Sequence, residues 1–241
     1  INFIPLDYNY FDFQGKNYAK IFGKTDQGEK VCLIDSCEIY IWAILKPNIS
    51  EKKIKEISEK IKKIKIISKT RTSKVIKTEI HEKKFLGKKV KAIKIFITNY
   101  KDAHDIAGKI DFEEVDKRRE YDLNYITKYI LEKKLKPLIW YEIEGEILNN
   151  SLEFGGIDNI METDLCLKVE KIKLNEKQIP FKPKVLGYDI ETDELEIGKG
   201  EIIMISLIGE KYQKVLTWKG EKSNKKYLEN YKDEADMLEG F

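Results

Sequence analysis

The stretch from Val185 to Thr192 constrains the fold and chemistry of this chain more than any other. Its β-favouring side chains predict a strand that is buried in a sheet. Because side chains two residues apart on a strand point to the same face, we expect Asp189 and Glu191 to project together. Two ionised carboxylates side by side repel each other, and a divalent cation relieves that repulsion. Oxygen ligands suit Mg²⁺ or Mn²⁺, which can activate water against a phosphodiester. The alternative is a strand end that is exposed to solvent and holds no metal.

The composition predicts folded domains but does not identify a ligand. The chain has 241 residues, of which 41% are hydrophobic, enough for one large or two modest domains. A net charge of +3 does not indicate a nucleic-acid-binding protein, so such binding would depend on local basic runs. Three cysteines without a Cys-x-x-Cys pair favour a reducing cytosol over a zinc site. No apolar run reaches the roughly 18 residues of a membrane span and no signal peptide is recognisable, so we expect a soluble cytoplasmic protein with no membrane partner.

The first part of the chain is predicted to alternate strands with two helices. From Ser50 to Lys63, isoleucines recur at helical spacing among lysines and glutamates. The lysines of this amphipathic helix are expected to form a solvated face or, alternatively, to contact a DNA backbone. Asp102 is predicted to cap a second, short helix. Read from Ile39, the order is β-α-β-β-α-β, the ferredoxin-like arrangement. Strands are predicted over residues 18–22, 31–34, 39–45, 65–69, 74–83, 90–98 and 112–118.

A further helix and two strands are predicted before the acidic pair. Asp122 is expected to cap a helix that continues through Lys134 and ends before Pro137. Residues 138–148 and 165–174 are strand-like, so they predict a β connection into the region of Val185.

Several of these segments resemble the archaeal family B DNA polymerases. In residues 185–218, the strand with Asp189-Ile-Glu191 is followed by a charged loop, Gly198-Lys-Gly200 and two further strands, in the order of that family's first exonuclease motif. The resemblance covers almost the whole chain, and further matching segments are Leu6–Tyr10, Lys84–Lys88 and Glu120–Asp122.

The resemblance implies an α+β fold in two parts. Residues 1–136 would be an amino-terminal domain with a ferredoxin-like βαββαβ unit. Residues 137–241 would comprise a β connection and the opening strands of an RNase H-like 3′–5′ exonuclease domain. Two later exonuclease motifs and the polymerase palm are not recognisable in the sequence, so we expect a piece of a larger polymerase that is catalytically incomplete by itself.

The resemblance also implies site residues, a cofactor and partners. Asp189 and Glu191 would be catalytic and would hold Mg²⁺ or Mn²⁺ in the complete exonuclease site. The partners would be single-stranded or template DNA, the remaining polymerase chain with the rest of the exonuclease, palm, fingers and thumb, and, through that remainder, a sliding clamp. Two alternatives are a non-catalytic module that binds single-stranded DNA or senses uracil, and a separate nuclease with a DEDD-type first motif.

Archaeal members of this family capture template uracil in an amino-terminal pocket. Ile39, Tyr100 and Asn124 stand where prolines are common in the family, so the walls of the pocket would be less stiff here. Lys128 stands where the family often has an arginine, and a lysine lacks the planar guanidinium that arginine uses in hydrogen bonding. The alternative is that Tyr10, Tyr40 and Tyr125 are core aromatic residues. Carried over by position, the uracil-binding residues are Tyr10, Ile39, Tyr40, Tyr100, Asp102, Ala103, Leu123, Tyr125 and Lys128.

Overall fold

A computed structural model describes residues 1–69, 71–149, 152–196, 198–220 and 224–241. The chain divides into two compact units, Ile1–Ile179 and Pro180–Phe241. Residues 137–179, which the sequence assigned to a connection into the exonuclease region, therefore group with the first unit. The architecture is α+β and rich in sheet, as predicted.

The first unit contains ten strands and three α-helices within the described residues. The strands are β1 (Asn2–Phe13), β2 (Lys16–Thr25), β3 (Lys30–Asp35), β4 (Ile39–Leu45), β5 (Lys65–Ile67), β6 (Thr72–Phe85), β7 (Lys88–Ile97), β8 (Val115–Arg119), β9 (Tyr141–Ile147) and β10 (Leu165–Leu174). The helices are α1 (Glu51–Lys62), α2 (Ala103–Lys109) and α3 (Tyr125–Lys133).

Five strands from opposite ends of this unit close into a barrel. Their order is β1-β2-β3-β10-β9, and β9 pairs with β1 to close it. Only β3 and β10 run parallel among the barrel pairs of the described chain. Gly23 allows β1 and β2 to approach, because a Cβ there would lie 2.1 Å from the Ile4 carbonyl oxygen and 2.5 Å from the Phe3 ring. The barrel thus depends on pairing between strands that are far apart in the sequence, such as β1 and β9.

The remaining strands form a separate antiparallel sheet in the order β5-β6-β7-β4-β8. Helices α1 and α2 cover one face of this sheet, and their isoleucines meet those of the strands. The buried aliphatic side chains between them include Ile41, Ile93, Ile95, Ile54, Ile57, Ile61 and Ile106. The amphipathic helix is confirmed: Ser50 caps α1 by accepting a hydrogen bond from the Lys53 amide at 3.3 Å.

One predicted helix cap is wrong, and the other has the predicted position without the capping hydrogen bond. Asn124, not Asp122, caps α3, and its side-chain oxygen accepts a hydrogen bond from the Thr127 amide at 2.8 Å. Asp102 occupies the position before α2 but makes no capping hydrogen bond, because its carboxylate is engaged by Arg71 and Ser73. Both caps were read from residue type, which does not reveal competing tertiary partners.

The second unit is a small sheet with one helix. Its elements are β11 (Leu186–Thr192), β12 (Ile202–Gly209), β13 (Tyr212–Thr217), β14 (Leu228–Asn230) and α4 (Glu234–Gly240). The sheet order is β11-β12-β13-β14, and Met237 of α4 is buried with Ile205 and Leu216. The expectation of a buried strand at β11 is wrong for the described residues: β11 is an edge strand, and every residue in it is exposed.

No helix in the described ranges combines the length and the apolar character needed to cross a bilayer.

Candidate metal and nucleic-acid sites

Asp189 and Glu191 lie on the same face of β11. They pair in register with Ser206 and Met204 of β12. The intervening Ile190 pairs with buried Ile205, which belongs to the face that packs against α4. The two carboxylates therefore project from the face of the sheet opposite α4, as the spacing predicts.

The carboxylates of the acidic pair are open to solvent. Asp189 accepts a hydrogen bond from the Ile190 amide at 3.1 Å and borders a surface pocket of about 380 Å³ together with Ser206 and Val215. Within the described part of the chain, neither Asp189 nor Glu191 makes an ion pair. Unpaired carboxylates of this kind attract a cation.

The donor chemistry of this pair fits Mg²⁺ or Mn²⁺, which prefer carboxylate oxygens. Among the described residues, the pair offers two such donor side chains. In the described residues, no group of three or more histidine, cysteine or acidic side chains is placed to hold a metal ion. Asp189 and Glu191 thus provide two ligands, and water or other groups would have to complete the coordination shell.

A third acid beside the pair has a different role. The Asp193 carboxylate accepts hydrogen bonds from the Lys219 ammonium and the Glu201 amide, both at 2.8 Å. These contacts hold the pKa of Asp193 below its usual range, and the hydrogen bond from Lys219 has the largest effect. Lys219 also contacts Glu201 at 3.0 Å, which ties the start of the loop to its end. Sequence reasoning missed this contact because Lys219 lies 26 residues further along the chain.

Three of the predicted uracil-site tyrosines converge. Tyr10, Tyr100 and Tyr125, which we call the tyrosine cluster, have ring centroids 5.2 to 6.0 Å apart. The hydroxyl of Tyr100 donates to that of Tyr10 at 2.7 Å, and the Tyr125 hydroxyl donates to the Asn17 carbonyl oxygen at 3.0 Å. Burial, and then the hydrogen bond to Tyr10, raises the pKa of Tyr100 to about 12. Tyr125 is buried, whereas Tyr10 and Tyr100 are partly exposed.

Tyr40 and Lys128 form a second group. The buried Lys128 ammonium donates to the Tyr40 carbonyl oxygen at 2.6 Å and lies 3.5 Å from a Glu120 carboxylate oxygen. Burial lowers the pKa of Lys128, although Glu120 opposes the shift. The Tyr40 ring contacts Trp42 and Phe96. Helix α3 carries both Tyr125 and Lys128, so it connects this group with the tyrosine cluster.

The other predicted uracil-site residues have varied surroundings. Asp102 accepts two hydrogen bonds from the Arg71 guanidinium, each at 2.7 Å, and a further one from Ser73. Nothing in the local pattern indicated Arg71 as its partner. Ala103 is buried in the first turn of α2, Ile39 is buried and borders a pocket of about 410 Å³, and Leu123 is partly exposed.

Comparison with known proteins assigns the chain to a family. Residues 116–241 match the profile described as DNA polymerase family B, exonuclease domain, which covers more than half of the chain. The chain belongs to DNA polymerase family B. The matched range includes β11 with Asp189 and Glu191.

Curated family B relatives extend the similarity to nearly the whole chain. It is 29% identical over 240 residues to a DNA polymerase of Thermococcus litoralis, covering 98% of this chain and 11% of the relative. A DNA polymerase of Desulfurococcus sp. is 28% identical over 241 residues, with 98% of this chain and 25% of the relative covered. The chain therefore spans between about a tenth and a quarter of the length of these relatives.

A solved family B structure supports the fold. The DNA polymerase from the hyperthermophilic archaeon Pyrobaculum calidifontis superposes with a TM-score of 0.60 over 93% of this chain and 28% of its own length. At 18% identity, this similarity concerns the fold alone.

Proposed function

We propose that this chain is part of a DNA polymerase with 3′–5′ exonuclease activity, in which Asp189 and Glu191 are metal ligands. The observation that carries this proposal is the position of the two carboxylates: side by side on β11, exposed, unpaired and within the range matched by the family B exonuclease profile. A separate nuclease is less well supported, because two carboxylates are fewer than a two-metal site needs.

The acidic pair would contribute binding and orientation. Mg²⁺ or Mn²⁺, when bound, supplies water activation and neutralises charge that develops on a phosphodiester. The antiparallel pairing of β11 with β12 holds Asp189 and Glu191 side by side on one face. The Asp193 carboxylate is paired with the Lys219 ammonium, so Asp193 itself would not compete for the same cation.

The finer architecture is also part of the proposal. The order β6-β7-β4-β8, with α1 and α2 on one face, supports a ferredoxin-like unit over residues 39–119. The strand order β11-β12-β13 supports the opening of an RNase H-like exonuclease domain. We assign DNA contact to residues 1–136 and exonuclease function to residues 137–241, of which 180–241 form the compact second unit.

The partners follow from this assignment. Single-stranded or template DNA would be the substrate, and the remaining exonuclease, palm, fingers and thumb would supply the missing carboxylates and the polymerase site. A sliding clamp would bind through that remainder. The small fraction of its relatives' length that the chain covers supports the need for these further parts.

The decisive experiment uses a polymerase polypeptide that contains this chain. In the Asp189→Ala, Glu191→Ala double variant, 3′ mismatch removal should fall by about a hundredfold or more, because several kcal/mol of charge stabilisation are lost. Primer extension should be retained, and Glu144→Gln serves as a control at an exposed position of β9. Unchanged mismatch removal would contradict the proposal. Digestion of single-stranded DNA by this chain alone, abolished by Asp189→Ala, would instead favour a separate nuclease.

We also propose that the amino-terminal part recognises template uracil. The convergence of Tyr10, Tyr100 and Tyr125 from three distant segments supports this second role. A wall packed against the pyrimidine C5 position would reject the thymine methyl group by about ten- to a hundredfold, and the substituted prolines favour the lower value.

Fluorescence anisotropy with matched uracil and thymine oligonucleotides measures this preference. The unmodified chain should prefer uracil, and Tyr40→Ala should reduce the preference. Equal affinities for the two oligonucleotides in the unmodified chain would leave these tyrosines as core residues and remove the sensing role.

A further inference from the structure

The face of the five-stranded sheet that α1 and α2 leave uncovered carries aromatic side chains and several lysines, with Glu79 of β6 opposite Lys94 of β7. Tyr40 and Trp42 of β4 pair with Phe96 and Lys94 of β7 on this face. His81 of β6 lies beside Trp42, with ring centroids 5.5 Å apart. This composition contrasts with the aliphatic face beneath the helices, although both faces belong to the same strands. Burial against the two helices therefore does not explain the aromatic residues.

Cations lie over these rings. The Lys83 ammonium is 5.0 Å from the Trp42 ring centroid, and the Lys94 ammonium is 3.7 Å from that of Tyr40. The Arg119 guanidinium is 5.2 Å from the Phe85 ring centroid. Among the residues that the structure describes, neither Lys83 nor Lys94 has an ion-pair partner. The charge of Lys83 is thus available to an anion, whereas Lys94 lies opposite Glu79 in the register of β6 and β7.

A pocket of about 300 Å³ opens at one end of this face. Its lining includes the apolar and aromatic side chains of Trp42, Phe85 and Ala92 and the cationic side chains of Lys83 and Arg119. The neighbouring acid, Glu120, is within 3.5 Å of the Lys128 ammonium, so its charge is partly compensated. The pocket lining therefore combines apolar and aromatic side chains with a net positive charge.

We propose that this pocket, which we call the Trp42 pocket, binds a base of a single-stranded polynucleotide. The base would stack on Trp42, while Lys83 and Arg119 contact the flanking phosphates. Stacking of a base on an aromatic ring tolerates any sequence, and phosphate contacts make binding depend on salt. A duplex would not present its bases to such a surface. The site is distinct from the tyrosine cluster and does not depend on Asp189 or Glu191.

Two kinds of fluorescein-labelled oligonucleotide separate stacking from simple charge attraction. One kind carries bases, and the other has abasic sites with the same phosphates. In anisotropy titrations with the full 241-residue chain, the oligonucleotide with bases should bind about tenfold more tightly. Deoxyribose and ribose versions identify which polynucleotide is preferred. Equal affinity for the abasic and base-carrying forms, or no binding at low salt, would overturn the proposal.

Variants locate the site. Trp42→Ala should weaken binding of the base-carrying oligonucleotide about tenfold or more and should abolish its advantage over the abasic form. Lys83→Ala should weaken both forms and reduce the salt dependence. Lys55→Ala removes one exposed charge from α1, on the opposite side of the sheet, and should have little effect. If Trp42→Ala retains the full affinity and the base preference, the assignment is wrong.

If Trp42→Ala fails to fold, ¹⁹F spectra of the chain without that substitution test the same contact. The chain is labelled with 5-fluorotryptophan at its three tryptophans, and Trp42→Phe identifies the Trp42 resonance in ¹⁹F spectra. Saturation with the base-carrying oligonucleotide should shift the Trp42 resonance, with little effect on Trp140. An unshifted Trp42 resonance at saturation would overturn the proposal.

Discussion

Asp102 lies in a site that only the tertiary structure defines. The residue is 3% exposed, and its carboxylate receives two hydrogen bonds from Arg71 and one from Ser73. Burial alone would raise the pKa of Asp102, but the hydrogen bonds from Arg71 and Ser73 outweigh it and hold the pKa below the usual range. The carboxylate is therefore ionised at neutral pH, and its pairing stabilises the folded chain.

Asp102→Asn should destabilise the chain by about 3 kcal/mol at pH 7, because the charge of Arg71 loses its partner. A carboxyl group whose pKa is lower in the folded state contributes stability above its unfolded pKa and loses that contribution as pH falls through its folded pKa. The difference in unfolding free energy between the variant and the unmodified chain should thus be constant above about pH 5 and shrink below about pH 4. Urea unfolding across this range measures it, with exposed Asp105→Asn as the control. A pH-independent difference would contradict the role of the charge.

The common face of the acidic pair could be predicted from the sequence, whereas the partner of Asp102 could not. The spacing of Asp189 and Glu191 determines a common face, because alternation along a strand is local. The Arg71–Asp102 pair joins residues 31 positions apart, and the Asp193–Lys219 pair joins residues 26 apart. Such pairings depend on how strands and helices meet, which neither residue type nor spacing encodes.

At the scale of elements, the helical spacing of the isoleucines predicted α1 correctly, whereas residue type predicted the wrong cap for α3. The isoleucine spacing of α1 matches its buried face, since helical periodicity and burial have the same cause. Asp122 and Asn124 are both acceptable cap residues, and only the backbone geometry distinguishes them. In the structure, Asn124 accepts the Thr127 hydrogen bond, and Lys134 ends α3 with a φ of 54°.

Asn124→Ala should therefore reduce the free energy of unfolding by about 1 kcal/mol, because one amide of the first turn loses its acceptor. Asp122→Ala provides a matched control two residues earlier and should have a small effect, since Asp122 is exposed. Chemical denaturation of the two variants gives the comparison. A larger loss for Asp122→Ala would restore the cap predicted from the sequence.

At the scale of the whole molecule, the pairing of the strands was the feature that the sequence predicted least well. The sequence predicted the order of strands and helices from Ile39 onwards, yet the barrel joins β1, β2 and β3 with β9 and β10 across more than a hundred residues. Hydrophobic patterns specify which face of a strand is buried but not which strand lies beside it. The exposure of β11 likewise depends on its position at the edge of its sheet.

The central claim is that Asp189 and Glu191 form a metal-binding pair. Line broadening by Mn²⁺ in ¹⁵N spectra of the 241-residue chain locates bound cations directly. Glu142 and Glu144 provide an internal comparison, because they have the same spacing on exposed positions of β9 but Lys171 lies 3.7 Å from Glu144. At low Mn²⁺, amides from Gly187 to Thr192 should broaden first, and Asp189→Asn with Glu191→Gln should remove the effect. Equal broadening around Glu142 and Glu144, or broadening that survives the double substitution, would contradict the claim.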